Sequence, residues 1–214
     1  IACDHNAMRL ANLITLARLP LLVVVLGILL YTVSWRWQMV GLVLLGLLFL
    51  MDWMDGLVAR RRREASDLGA VLDIALDRTV ENVLWIAFLT LDLVSFWVPV
   101  IFLVRSFVVD GVRGVAFTRG KGGFSMMHTP WGRFLVASRF MRAFYGLAKG
   151  VTFGGLWLSH ALILQDPRYQ VALQPWYQTL VWLTVGLCVV RGLPVLLDGR
   201  LYLGPGYQQA DTGS

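Results

Sequence analysis

The chain has 214 residues, 57% of them hydrophobic and 15% charged, with a formal net charge of +6. Soluble domains are nearer half apolar and a quarter charged. Here the apolar excess comes in runs of the roughly 20 residues that span a bilayer, which excludes an ordinary soluble domain. In such a chain the positive charge speaks to orientation and anionic lipid rather than to nucleic acid. Cys3 and Cys188 lie far apart, so neither a disulfide framework nor a C-x-x-C metal pair is present.

Six apolar runs read as membrane helices, which predicts an all-α integral membrane protein. Helix 1 covers 11–33; it contains Arg18 and no small-residue cleavage site, so it reads as a retained helix and not as a signal peptide. Residues before 11 read as a short interfacial helix. Helix 2 covers 37–60, helix 3 67–93, helix 4 96–118 with Pro99 in its first turn, helix 5 131–160 and helix 6 175–198. Residues 1–203 are expected to form one catalytic domain, and 204–214 a disordered tail. Arg9, Arg60 to Arg63, Arg119, Lys121, Arg133 and Arg200 gather at one set of helix ends, against Arg36 and Arg168 at the other. By the positive-inside rule, both termini are then cytoplasmic. Trp35, Trp37, Trp97, Trp176 and Tyr177 are expected to form an aromatic belt at the opposite face.

The stretch joining helices 2 and 3 carries Asp52, Asp55, Asp73 and Asp77. Asp52 and Asp55 are spaced i, i+3, and Asp73 and Asp77 i, i+4, so each pair shares a helix face. A short basic loop joins the two helices, which allows all four carboxylates to form one cluster. Such a cluster repels itself unless a cation sits in it, and oxygen donors without Cys or His suit hard Mg²⁺, Mn²⁺ or Ca²⁺ rather than zinc. Gly56, Ala59 and Gly69 lie on the same segments, where small residues let a ligand or backbone approach. Arg60, one turn after Gly56, is placed to hold a phosphate. The bland alternative is a solvated helix end whose acids pair with Arg60 to Arg63. Four acids at these spacings among small residues argue against it.

The strings "DWMDGLVAR" (52–60) and "GAVLDIALD" (69–77) resemble the signature of the CDP-alcohol phosphotransferase family, D-x-x-D-G-x-x-A-R followed by G-x-x-x-D-x-x-x-D. All eight fixed positions are present. The resemblance implies transfer of a substituted phosphate from a CDP-linked donor to an alcohol, with release of CMP. It implies two divalent ions, Mg²⁺ or Mn²⁺, held by Asp52, Asp55, Asp73 and Asp77, with Asp77 as base for the acceptor hydroxyl. It also implies a donor pocket of Asp52, Gly56, Ala59, Gly69 and Arg60, and a homodimer in the cytoplasmic membrane with its site facing the cytoplasm.

Three further groups bear on the acceptor. Asn12, Thr15 and Arg18 share one side of helix 1; Arg18 reads either as a phosphate contact or as a side chain snorkelling to the interface. Arg105 and Arg113 in helix 4 are eight residues apart, about two turns, so they share a face. "LVRSFVVDGVRGVAF" resembles the matching helix of bacterial phosphatidylglycerophosphate synthases. In helix 5, Arg139 and Arg142 keep basic charge, but "ASRFMRAFYGLAK" departs from the family's common G-K-x-K-T. Guanidinium groups bind phosphate bidentately, so a phosphorylated acceptor is expected; the resemblance implies CDP-diacylglycerol as donor and sn-glycerol 3-phosphate as acceptor, with inositol phosphate or another polar alcohol as the alternative acceptor. An ion or metal transporter is the competing class. It predicts acids at the bilayer midplane and inverted repeats, and neither is visible in the sequence.

Overall fold

The computed structural model describes residues 4–62, 67–118, 134–135 and 138–203, with residues 4–16, 53–62, 67–72, 113, 115–118, 139 and 198–203 described as backbone alone. Among the described residues there is no strand. Six helices follow in order: α1 (Asp4–Tyr31), α2 (Trp35–Arg62), α3 (Asp67–Thr90), α4 (Trp97–Thr118), α5 (Arg139–Gln165) and α6 (Arg168–Leu203). Three of them, α2, α5 and α6, contain described stretches long and apolar enough to cross a membrane. Large apolar side chains such as Val23, Val43, Phe107, Leu147 and Leu183 are exposed on the helix surfaces. That pattern suits a hydrocarbon solvent, in which a helix is apolar all round.

The helix ends differ from the sequence expectation for local reasons. The segment before residue 11 is not a separate interfacial helix but the first turns of α1. The start of α5 at Arg139 is set by Ser138, whose Oγ accepts the Met141 backbone N–H at 3.0 Å, an N-cap that satisfies an otherwise orphan donor. α6 begins seven residues before the expected 175. Asp166 Oδ1 accepts the Arg168 N–H at 2.9 Å, and Pro167 supplies helix-ready φ beside this cap. Pro175 lies inside the first turns of α6. Trp37, Trp97 and Trp176 are exposed, as an aromatic belt requires, but Tyr177 is buried and takes no part in one.

The chain divides into two compact units. The first spans Ile1–Phe96 and Gly150–Gln178. In it α1 packs against both α2 and α3. Leu22, Val25 and Leu29 from α1, Leu45 and Leu48 from α2, and Val80, Leu84, Trp85 and Phe88 from α3 are all buried, with Phe153, Leu156 and Trp157 from α5. Phe153 lies 4.6 Å from Trp85 between ring centroids and stacks on Phe49 and Phe88. The α1–α2 turn is closed by the fully buried Gln38. Its Nε2 donates to Thr32 O at 2.7 Å and Ile28 O at 3.3 Å, satisfying carbonyls at the end of α1. The Gln38 carbonyl in turn accepts Trp157 Nε1–H at 3.0 Å. At the end of α3, Leu93 N–H bonds Phe88 O and Asp92 N–H bonds Leu89 O. Asp92 takes the left-handed conformation at φ 55°, which makes a Schellman cap with Asp where Gly is usual.

The second unit spans Trp97–Lys149 and Thr179–Ser214. Its core is made by Val98, Phe102 and Val109 of α4, Tyr145 of α5, and Val181, Val185, Cys188 and Val195 of α6.

Gly41 is where α2 has no room for a side chain. A Cβ there would collide with Trp157 Cζ2 and lie 2.7 Å from Ile28 Cγ2, and Trp157 is itself fully buried. Gly41→Ala is therefore expected to destabilise the protein by about 1–3 kcal/mol through overpacking. Gly46→Ala, on the same helix with nothing within 4 Å of the new Cβ, should be neutral or stabilising. Thermal unfolding of the two variants in detergent checks the contrast.

Candidate functional site

Helix lengths and one tight turn bring the polar side chains of the first unit to a common level. Arg18 lies 13 residues before the end of α1, about 20 Å of helix rise. Asp52 lies 17 residues after the start of α2, about 26 Å. The α1–α2 turn reverses the chain between them, and an arginine side chain spans the remaining difference. α3 begins at Asp67 and presents Asp73 and Asp77 on successive turns.

The outcome is a close cluster. Arg18 Nη1 stands 2.9 Å from Asp52 Oδ1 and 3.7 Å from Asp73 Oδ1, and Arg18 Nη2 donates to Asp77 Oδ1 at 3.1 Å. The Arg18 side chain is 2% exposed, while those of Asp52, Asp73 and Asp77 are 37%, 45% and 43% exposed. The guanidinium is thus the floor of the cluster, and the carboxylates keep an open side. This burial removes the snorkelling alternative for Arg18.

The donor set fits a hard divalent cation. Asp52, Asp73 and Asp77 can each offer an oxygen within 4.8 Å of the others. Asp73 Oδ1 is buried without a hydrogen-bond partner. Among the described side chains, one guanidinium stands against three carboxylates, so when these are ionised negative charge is in excess. Oxygen-only, anionic sites of this kind select Mg²⁺ or Mn²⁺ over softer metals. Asp55, Gly56, Ala59, Arg60 and Gly69 are placed by backbone only, Asp55 one turn beyond Asp52 in α2; their side chains lie outside the described residues.

The arginines expected to meet the acceptor fall in the second unit. Arg105 of α4 packs against Gly192 of α6, where a Cβ would lie 3.1 Å from Arg105 Cγ. Its Nε is buried with no hydrogen-bond partner. Arg142 is exposed on α5. Arg113 and Arg139 lie outside the described side chains. A residue not singled out from the sequence, Arg191, is buried at 7% exposure. It donates to the Met141 carbonyl and lies over the Tyr145 ring at 5.0 Å, with Lys149 Nζ 4.8 Å from the same ring. Such cation–π contacts hold charge where water is scarce. The signal was available: Arg191 is the only charged residue between Arg168 and Asp198, and an ionisable residue inside an apolar span marks function by default.

The family model described as CDP-alcohol phosphatidyltransferase matches residues 8–190. The chain is 25% identical over 194 residues to the CDP-diacylglycerol–glycerol-3-phosphate 3-phosphatidyltransferase of Bacillus subtilis, a match covering 86% of this chain and 91% of the relative. It is 28% identical over 120 residues to provisionally named cardiolipin synthases of Mycobacterium bovis and Mycobacterium tuberculosis, covering 56% of each chain.

The cluster predicts direct binding of a divalent ion. The purified protein should bind Mn²⁺ in a titration followed by electron paramagnetic resonance. Asp73→Asn should weaken that binding by about tenfold or more, because affinity at oxygen sites follows the count of charged ligands. Asp166→Asn, outside the cluster on the α5–α6 turn, should leave it unchanged.

Proposed function

Because the chain belongs to the CDP-alcohol phosphatidyltransferase family, we propose that it transfers a phosphatidyl group from CDP-diacylglycerol to sn-glycerol 3-phosphate, giving phosphatidylglycerophosphate and CMP. The observation that carries the reading is the convergence of Asp52, Asp73 and Asp77 from two helices. These are three of the four aspartates in the family signature.

The chemistry is a displacement at phosphorus. The acceptor hydroxyl attacks the phosphorus that bears the diacylglycerol, the bond to CMP breaks, and the hydroxyl proton must leave. Asp77 takes that proton. It differs from Asp52 and Asp73 in accepting a true hydrogen bond from Arg18, which fixes the direction of its carboxylate, and a general base needs its acceptor oxygen held within reach of the hydroxyl. Asp52, Asp55 and Asp73, with a share from Asp77, would hold two divalent ions, Mg²⁺ or Mn²⁺, whose chemistry is to neutralise the pyrophosphate and hold the leaving phosphate. Gly56, Ala59 and Gly69 leave room for the cytidine, and Arg60 lies toward its phosphates.

An anionic acceptor is supported by charge. Arg105, Arg191 and Lys149 bring cationic groups from three helices of one unit, and Arg113, Arg139 and Arg142 lie on two of the same helices. A phosphate monoester on the acceptor suits such a set of cations, because guanidinium groups bind phosphate through paired, charge-assisted hydrogen bonds. In the membrane, six helices span the bilayer, with the acid cluster toward the cytoplasm beside the basic loop after α2. The name of the Bacillus relative supports the same acceptor.

Release of CMP from CDP-diacylglycerol should require a divalent ion and be fastest with sn-glycerol 3-phosphate in a panel that includes inositol phosphate, free glycerol, free inositol and phosphatidylglycerol. Preference for an uncharged alcohol would overturn the acceptor assignment and leave the family intact. Asp77→Asn should lower kcat by about 10²–10⁴-fold, the usual worth of a general base, with Mn²⁺ still bound. Arg105→Ala should raise the acceptor KM by about tenfold or more, the loss of one charge-assisted contact, and leave the KM for CDP-diacylglycerol nearly unchanged.

A further inference from the structure

Among the described side chains, Arg18 is a buried cation with three acidic neighbours, and its hold on them is uneven. Among the described residues, Nη2 alone makes a hydrogen bond, to Asp77 at 3.1 Å. Nη1 stands 2.9 Å from Asp52 and 3.7 Å from Asp73, yet Nη1 and Nε are both buried without a hydrogen-bonded partner. The grip on Asp52 and Asp73 is therefore Coulombic, and the grip on Asp77 is directional.

We propose that Arg18 is a tethered counter-cation for the acidic cluster: it holds the carboxylates of α2 and α3 together without metal, and competes with the divalent ion for Asp52 and Asp73. This rests on the metal-dependent reading above. The reasoning starts from charge. Without a cation, three carboxylates whose oxygens can meet within 4.8 Å would repel and press α2 and α3 apart. Arg18 suppresses that repulsion in the empty protein. A divalent ion entering the same cluster meets a guanidinium fixed in its floor, and like charges at this range oppose binding.

Arg18 also preorganises the carboxylates, which would favour metal binding. That contribution is the smaller one. Leu22 and Val25 of α1, Leu45 and Leu48 of α2, and Val80 and Leu84 of α3 are buried together, so the frame of the cluster is set by packing as well as by the guanidinium. Competition therefore decides the sign. Metal binding loosens Arg18 first from Asp52 and Asp73, which it holds by charge alone, and last from Asp77, which it holds by a directional hydrogen bond. Arg18 thus acts as a positioning residue for Asp77 and a regulator of metal affinity. Because such coupling is reciprocal, loss of Arg18 must tighten metal binding by the factor with which metal weakens the Arg18 contacts.

The test compares wild type with Arg18→Gln and Arg18→Lys, using thermal unfolding in detergent with EDTA and with Mn²⁺, and Mn²⁺ titration by electron paramagnetic resonance. Arg18→Gln should melt lower than wild type in EDTA, gain more on Mn²⁺ addition, and bind Mn²⁺ more tightly, on the order of tenfold. Arg18→Lys keeps the charge on one nitrogen and loses the fork. It should fall between the two in both readouts, and it carries the test if Arg18→Gln does not survive without metal. Weaker Mn²⁺ binding in either variant would overturn the proposal, as would wild-type melting in EDTA together with wild-type affinity. Failure of the wild type itself to bind Mn²⁺ would overturn the metal reading instead, a result distinct from any difference between variants.

Discussion

A single buried guanidinium among three carboxylates organises the first three helices. Arg18 on α1, Asp52 on α2 and Asp73 and Asp77 on α3 make one electrostatic unit, and each helix supplies something the others lack. Burying a charge is unfavourable unless it is paired, so α1 fits only where the two acidic helices meet. The acids in turn are concentrated enough to need more positive charge than Arg18 provides. That deficit leaves the cluster able to accept a further cation, which a closed ion pair could not do.

The apolar frame serves this cluster from a distance. Gln38 closes the α1–α2 turn and is pinned from outside by Trp157. Gly41 permits the close approach of the same ring. These contacts lie at the far end of the helices from Asp52, yet they fix the relative height of α1 and α2. A slip of one residue between those helices would move Arg18 by about 1.5 Å against Asp52, enough to break a 2.9 Å contact. Packing at one end thus sets ionic geometry at the other.

The meeting of Asp52, Asp73 and Asp77 was legible in the sequence, because i, i+3 and i, i+4 spacings on two helices joined by a short loop leave few other arrangements. The helical class was legible from apolar runs. What α1 contributes was not. The sequence places Arg18 on one side of a helix, but only the tertiary level match between α1 and α2 shows that it faces carboxylates. Arg191 was hidden differently, as one charge in a long apolar run whose partners, the Met141 carbonyl and the Tyr145 ring, lie far away in the chain. Tyr177 shows the converse error: an aromatic residue beside Trp176 was read as interfacial by position, yet a helix turns 100° per residue, and that turn carries it into the core. Helix starts at Ser138 and Asp166 depended on cap residues, which an apolar pattern passes over.

Arg18 also bears on how the protein is made. Asp52 follows it by 34 residues in the chain, so the arginine leaves the ribosome well before the first of its acidic neighbours. A lone guanidinium in hydrocarbon costs several kcal/mol even on the mildest insertion scales. Arg18 has none of these carboxylates to pair with until α2 and α3 have been made, so α1 can bury its guanidinium as the finished fold does only after all three helices exist.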